Sequence, residues 1–218
     1  MCKTKWLATI PCIACAWLAT AFLSAQEAGE SSEAALAWIK RVDGELKKPR
    51  YAKLTLEELG KLEELQLGGH RKSDNKHLYV KADEFNHLSA LKGLKKLHLG
   101  ENDGVTDAAL VHVGKLTGLR SLVLWDAPMT DAGLKHLIPL KELTHLDLAF
   151  ATKISNAGLA DIVQLSNLEH LNLAGTKVTD VSMLKSLSKL KELRLGKLKV
   201  SGVAELKESL PKLVVVSK

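Results

Sequence analysis

The chain has 218 residues, of which 26% are charged and 4% aromatic, and its formal net charge is +6. This length allows one compact domain or one array of repeats with a tail, and the abundance of leucine among the apolar residues favours a regular, stacked core. Basic and acidic residues are interspersed, with no basic run and no interleaved aromatic side chains, which argues against a nucleic-acid partner.

The first 25 residues have the layout of a secretory signal peptide. Two lysines precede an uncharged and mostly apolar run over residues 6–23, and small residues follow it. Residues 1–25 are therefore predicted to direct export to the periplasm, the cell surface or the medium, with cleavage after Ala25. Cleavage after Ala21 and retention of the segment as an anchor are the alternatives, and only an anchor would give the chain a membrane partner.

All three cysteines lie inside this segment, at positions 2, 12 and 15. The processed chain would contain none, so we expect no disulfide, no thiol nucleophile and no cysteine-ligated zinc in it. Its stability must then come from the burial of apolar side chains. No cofactor is expected either.

Residues 26–53 are predicted to form a capping helix and a linker. In the stretch "SSEAALAWIKRVDGEL", apolar residues fall on one side of a helix, at Leu36, Ile39, Val42 and Leu46. An array of repeats needs such a cover over its outermost core layer. Directly after the linker, Thr55 and Glu58 have the spacing of a capping box, which predicts a short helix before the first strand.

From residue 54 to residue 218 the pattern L-x-x-L-x-L recurs. Six copies begin at Leu62, Leu94, Leu119, Leu143, Leu168 and Leu190, and a degenerate copy closes the chain. Successive copies are 32, 25, 24, 25 and 22 residues apart. The alternation of the L-x-L core predicts a short strand in each copy. Self-similarity at this period is typical of a solenoid.

A second unit recurs between the predicted strands, as in "VTDAALVHVGKL" and "MTDAGLKHLIPL". Each copy opens with a hydroxyl residue followed by Asp or Asn, the residue types that cap helix N-termini. Apolar residues then recur at a spacing of three, which fits one buried helical stripe. The recurring acids Asp107, Asp131 and Asp180 are therefore predicted to cap helices and not to form a catalytic row.

Together these two units resemble the leucine-rich-repeat family. The (V/I/M)-(T/S)-(D/N)-x-G-L halves look most like the ribonuclease-inhibitor-like and cysteine-containing types, and "VTDVSMLKSLSKLKELRL" is closer to compact bacterial repeats of internalin type. The resemblance implies an α/β fold, a right-handed solenoid with a parallel sheet on its concave face and helices on its convex face. It also implies a protein-binding scaffold and not an enzyme. The asparagine common at the ninth position of such repeats is present only as Asn102.

The side chains between the leucines are expected to face outward from the concave sheet, where strands about 4.8 Å apart create a grid. This grid is the expected contact surface for a protein partner. Its candidate residues are His98, Val123, Trp125, His145, Asp147, Phe150, His170, Asn172 and Arg194. Trp125, Phe150 and Arg194 have side chains typical of interface hot spots. For Trp125, the alternative is simple packing over Phe150 at the strand ends.

His145 and Asp147 form an H-x-D pair, and the grid sets them beside His170 and Asn172. Because imidazole and carboxylate groups suit zinc, a metal site at His145, Asp147 and His170 is one alternative to recognition by hydrogen bonds. A second alternative is an envelope or adhesion protein that binds glycan or cell-wall polymer. No arrangement of nucleophile, base and orienting group is visible, so no catalytic residue is predicted.

The first repeat is lengthened by the stretch "GGHRKSDNKH", residues 68–77. Insertions in repeat arrays often decorate a binding face, and a solvated basic loop is the other interpretation. The following "HLYVKAD" alternates in polarity, which predicts an additional strand.

Overall fold

The computed structural model describes residues 31–71 and 73–217, so the predicted signal segment lies outside the described residues. Within them, seven parallel strands of three residues each form one sheet whose strand order follows the chain. The strands are β1 (Glu64–Gln66), β2 (Lys96–His98), β3 (Ser121–Val123), β4 (His145–Asp147), β5 (His170–Asn172), β6 (Glu192–Arg194) and β7 (Val214–Val216). The predicted α/β solenoid with a parallel concave sheet is confirmed.

Helices form the convex face. The α-helices are α1 (31–45), α2 (Leu56–Gly60), α3 (Asp107–Val113), α4 (Asp131–Leu134), α5 (Asn156–Ile162) and α6 (Val203–Ser209). Short 3-10 helices cover Ala82–Ala90, Lys135–Leu137 and Ser182–Ser186. Helices α3, α4 and α5 contact one another in chain order, so each repeat covers the helix of the next. Within the described ranges, no helix has the length and apolar character needed to cross a membrane.

Rows of leucine run through the core from one repeat to the next. The strand register pairs Leu97 with Leu122, Leu122 with Leu146 and Leu146 with Leu171, and each of these side chains is at most 2% exposed. A buried leucine contributes roughly 1.5–3 kcal/mol relative to an exposed one. Since each leucine is covered by the copies on both sides, this contribution requires the neighbouring repeats.

Helix α1 packs on the first repeats, as its apolar spacing predicts. Ile39 and Val42 are fully buried, and the ring of Trp38 meets Phe85 edge to face at a centroid distance of 6.1 Å. The loop after α1 joins the insertion, because the backbone N–H of Lys47 donates to the carbonyl of His70 at 3.1 Å. The first core layer is thus covered by α1.

The open edge of the sheet at β1 is covered by the same loop. The Tyr51 hydroxyl accepts a hydrogen bond of 2.9 Å from the backbone N–H of Gln66 in β1. Asp43, fully buried at the end of α1, accepts from the backbone N–H groups of Arg50 and Tyr51, each at 2.7 Å. Because unpaired edge groups invite pairing with other chains, this loop protects the first strand.

The capping box before the first strand is confirmed. The Thr55 hydroxyl accepts from the Glu58 N–H at 3.3 Å, and the Glu58 carboxylate accepts from the Thr55 N–H at 2.9 Å. Helix α2 therefore begins where the spacing of these two residues indicates.

The turns after the strands stay regular although only one of them carries the asparagine. Asn102 is fully buried; its amide donates to the Leu67 carbonyl and its oxygen accepts from the Val80 and Gly104 N–H groups. In later repeats, neighbouring turns are joined by backbone hydrogen bonds, such as that from the Asp126 N–H to the Ala149 carbonyl at 2.7 Å. The regularity therefore does not depend on a continuous amide ladder.

The acids on the convex side connect repeats, which corrects the prediction that they cap their own helices. The cap of α4 is Thr130, whose hydroxyl accepts from the Ala132 N–H. The Asp107 carboxylate accepts from both the N–H and the hydroxyl of Thr130, each at 2.7 Å. Asp131 binds Ser155 in the same way, at 2.8 and 2.6 Å. The bonds to these oxygens come from the next repeat, and sequence spacing does not show such a link.

The third recurring acid differs from the other two. The Asp180 carboxylate accepts from the Ser182 N–H at 2.8 Å, at the start of the 3-10 helix Ser182–Ser186. It therefore satisfies a backbone group of its own repeat, as a cap does.

The additional strand predicted for "HLYVKAD" is absent from the sheet, and this prediction was wrong. Leu78 and Val80 are buried and Tyr79 is exposed, so the polarity alternates as expected. However, the Leu78 N–H donates to the turn carbonyls of Gly69 and Glu101. These backbone groups are used by turns, and a 3-10 helix begins at Ala82 before a strand ladder can form.

Candidate functional site

The outward-facing side chains of β3 to β6 form what we call the central concave surface, a shallow depression of about 240 Å³. Its outward-facing positions, all exposed or partly buried, are Ser121, Val123, His145, Asp147, His170, Asn172, Glu192 and Arg194. The observed register places them in two rows, as predicted, because each strand pairs with the next without a shift. Six of the nine predicted contact residues lie here.

His145 and His170 occupy the middle of this surface as a stacked pair. Their ring centroids are 4.2 Å apart and the ring planes differ by 13°. His145 Nδ1 lies 2.8 Å from the Thr144 hydroxyl oxygen, and His170 Nδ1 lies 3.4 Å from Glu192 Oε2. Burial, together with the neighbouring His170, lowers the pKa of His145 below its ordinary value of 6.5. The stacked arrangement therefore favours a neutral His145.

Asp147 is held by hydrogen bonds on both carboxylate oxygens. Oδ1 accepts from the Ala149 N–H at 2.9 Å, and Oδ2 accepts from the Asn172 side-chain amide at 3.2 Å. Among the described residues, His145, Asp147 and His170 are not a group of converging ligand atoms. A metal site requires such convergence, so the geometry does not support the zinc alternative at these residues.

Arg194 ends the central concave surface next to Glu192 on the same strand. The Arg194 Nε–H donates to the Glu192 carboxylate. This bond lowers the pKa of Glu192 and raises that of Arg194. The Arg194 side chain is 59% exposed, so the guanidinium keeps donors available to a partner.

His98, which pairs with Val123, and Trp125 lie beside the central concave surface on the side of the first repeats. They line a second depression of about 370 Å³, whose rim includes the basic residues Lys47, Lys48 and Arg50. Burial lowers the pKa of His98, and its buried Nδ1 has no hydrogen-bond partner among the described residues. The sequence grid did not include this basic rim, because the rim comes from the loop after α1.

Trp125 is half-buried, and among the described aromatic side chains it makes no ring contact with Phe150. Its indole lies against Gly100 in the preceding repeat, where there is no room for a side chain. A glycine at this position is what allows the indole to lie flat on the neighbouring turn.

Phe150 is exposed at the end of β4 in an unusual backbone conformation. Its φ is 59°, its side chain is 55% exposed, and its ring lies against Gly175 in the following repeat. A left-handed conformation costs a bulky residue about 1–3 kcal/mol. Equivalent positions in other repeats are Gly69, Glu101, Asp126 and Gly175, so the turn itself adopts this conformation and Phe150 is the bulkiest residue placed in it.

One cluster of potential ligands was not identified from the sequence. His70 and His77 belong to the insertion, and Glu101 follows β2, 24 residues later. No spacing rule connects them; the only available signal was the presence of two histidines in a lengthened repeat.

The stacked pair leads to a prediction about the titration of His145. Its imidazole proton signal in an NMR pH titration is expected to have a midpoint below 6.5. Since the pKa is lowered on folding, the neutral ring contributes stability above pH 6.5, and this contribution is lost as the pH falls through the lowered pKa. Replacing His170 with alanine should move the midpoint up toward 6.5, and a wild-type midpoint at or above that value contradicts the prediction.

Comparison with known proteins agrees with this architecture. Residues 85–215 match the family described as Zer-1-like, leucine-rich repeats. The chain belongs to the leucine-rich-repeat family. No curated protein matches it significantly.

Solved leucine-rich-repeat structures share the fold. The internalin InlF of Listeria monocytogenes is 21% identical with a TM-score of 0.58, over 84% of this chain and 54% of the internalin. Internalin C2 of the same species is 21% identical with a TM-score of 0.52, over 84% of this chain and 81% of that one. A Leptospira interrogans leucine-rich-repeat protein is 20% identical with a TM-score of 0.48, over 73% of this chain and 50% of that one. The chain thus spans about half the length of InlF, and the structural likeness to the two internalins shows the fold alone.

Proposed function

We propose that this leucine-rich-repeat protein is an exported, non-catalytic scaffold that binds another protein through its concave face. Phe150 is the observation that carries the proposal. A phenylalanine in left-handed backbone, 55% exposed, is a cost to the free chain that glycine or asparagine would avoid. Contact of the ring with a partner offsets this cost, because aromatic side chains contribute strongly at interfaces.

The central concave surface supports the proposal through its prearranged polar groups. Asp147 is fixed by Ala149 and Asn172, and His145 by the Thr144 hydroxyl. Groups already held in place lose little conformational entropy when a partner binds. Arg194, exposed beside Glu192, adds a charged donor of the kind enriched at hot spots.

Catalysis forms no part of the proposal. The hydroxyl nearest to His145 belongs to Thr144, and it already donates to the Arg120 carbonyl at 2.9 Å. A hydroxyl engaged in this way is a hydrogen-bonding partner of the imidazole and not an activated nucleophile. Export rests on the signal-like layout of residues 1–25.

The test is affinity capture of proteins from the native source with the immobilised chain. The Trp125→Ala, His145→Ala double variant is expected to lose the partners that the wild type recovers. A matched variant on the convex side, Val111→Ala with His136→Ala, should recover them as the wild type does. The mass of the exported chain tests export, since cleavage after Ala25 leaves Gln26 as the first residue.

Two outcomes would reject concave-face binding. One is recovery of the same partners by the Trp125→Ala, His145→Ala variant. The other is co-sedimentation of the wild type with insoluble cell-wall polymer without recovery of any protein, which would favour the glycan-binding alternative.

A further inference from the structure

The carboxyl ends of the first strands bring together two imidazoles and a carboxylate outside the concave surface. One ligand atom each from His70, His77 and Glu101 lies within 4.8 Å of the other two. His70 Nδ1 is 3.4 Å from Glu101 Oε2, and the two histidine rings meet edge to face at a centroid distance of 5.1 Å. All three side chains are partly exposed, so an ion from solvent can reach them.

Backbone hydrogen bonds fix the positions from which these side chains extend. His70 and His77 face each other in an antiparallel bridge across the insertion. The N–H of Leu78, next to His77, donates to the carbonyl of Glu101 at 3.1 Å. The insertion is therefore attached to the turn that follows β2, and the ligands do not depend on a free loop for their placement.

The separation of His70 and Glu101 matches two ligands of one metal ion. A tetrahedral zinc ion with ligands at about 2.0–2.1 Å requires those ligands to be roughly 3.3–3.4 Å apart. The observed 3.4 Å between His70 Nδ1 and Glu101 Oε2 fits this separation. A charge-assisted hydrogen bond between the two groups would be shorter, at about 2.7–2.9 Å.

His77 has a carboxylate near each ring nitrogen. Nδ1 lies 3.2 Å from Asp103 Oδ1, and Nε2 lies 3.6 Å from Asp126 Oδ2. A metal-binding histidine usually donates its remaining ring N–H to a carboxylate, which orients the ring and raises its basicity. Whichever nitrogen of His77 faces the ion, an aspartate is present at the other one.

We propose that His70, His77 and Glu101 bind one divalent transition-metal ion, for which zinc is the probe. Two imidazoles and a carboxylate are ligands that suit zinc and its neighbours, whereas calcium and magnesium prefer oxygen alone. The bound ion joins the insertion to the repeat that contains β2. This site is separate from the central concave surface, and the proposal does not depend on partner binding.

Isothermal titration of the purified chain with zinc chloride tests the site. The wild type is expected to bind one equivalent with a Kd well below millimolar. His77→Ala and Glu101→Gln should each weaken binding at least tenfold, because each removes a ligand from a site of three. The control is the His145→Ala, His170→Ala double variant, which removes two imidazoles elsewhere and should bind as the wild type does.

A second readout separates loss of a ligand from loss of fold. Far-UV circular dichroism should be unchanged in the Glu101→Gln variant, and cobalt(II) should give the intense visible absorption of a tetrahedral site in the wild type but not in Glu101→Gln. The proposal is overturned if the wild type shows no binding below millimolar zinc. It is equally overturned if both ligand variants bind as the wild type does, or if the control variant alone loses the ion.

Discussion

Replacing Leu146 with alanine is expected to lower the free energy of unfolding by about 2–5 kcal/mol. Leu146 is 2% exposed and lies between Leu122 and Leu171 in the stacked core. The smaller side chain loses its own burial and leaves a cavity that two neighbouring repeats border, so neither can close it without moving the other. Urea unfolding followed by far-UV circular dichroism measures the effect.

The matched control is Leu56→Ala. Leu56 is 44% exposed at the start of α2, so the same chemical change there removes little buried surface. We expect its unfolding midpoint to stay near that of the wild type. If Leu146→Ala unfolds at the same urea concentration as Leu56→Ala, the assignment of the strand leucines to a shared core fails.

Replacing Asp43 with alanine is expected to destabilise the N-terminal end. Its two carboxylate oxygens are the acceptors for the backbone N–H groups of Arg50 and Tyr51. A fully buried unsatisfied donor costs about 1–3 kcal/mol, and because these two N–H groups are only partly buried, the loss of both acceptors should destabilise the chain by about 1–3 kcal/mol in total. Faster amide hydrogen exchange at Arg50, Tyr51 and Gln66 would accompany it, because the Tyr51 hydroxyl protects the edge of β1.

Asp83→Ala is the control for this substitution. Asp83 is exposed in the 3-10 helix Ala82–Ala90, and its removal should leave both the unfolding midpoint and the exchange at β1 almost unchanged. Equal stability of Asp43→Ala and the wild type would show that the buried carboxylate does not hold the capping loop.

The strands and their register were accessible from sequence because every copy repeats the same leucine spacing. When Leu97, Leu122 and Leu146 must all point inward, each strand can pair with the next in only one way. The neighbours of every x position then follow, including the placement of His145 beside His170. The period of the repeat alone was sufficient to predict the strands, their register and the neighbours of each outward-facing residue.

Features that depend on side-chain direction or on the insertion were not accessible. The contact of the Trp125 indole with Gly100 and the left-handed conformation of Phe150 arise in turns whose residues vary between repeats. The approach of His77 to Glu101 requires the path of the inserted segment, where no other copy in the chain offers a comparison. Local alternation predicted a strand at Leu78, but the Leu78 N–H donates to the carbonyls of two turns and not to a neighbouring strand.

The links on the convex side use the same chemical groups at two successive junctions. Asp107 presents two acceptors to Thr130, and Asp131 presents the same two acceptors to Ser155. Donor and acceptor are therefore of one kind at these two junctions, so a unit that begins with a hydroxyl residue and carries the following acid fits at either place. Insertion or deletion of a whole repeat would therefore keep these hydrogen bonds between neighbouring repeats. Insertion or deletion of a few residues would leave a carboxylate without its donors.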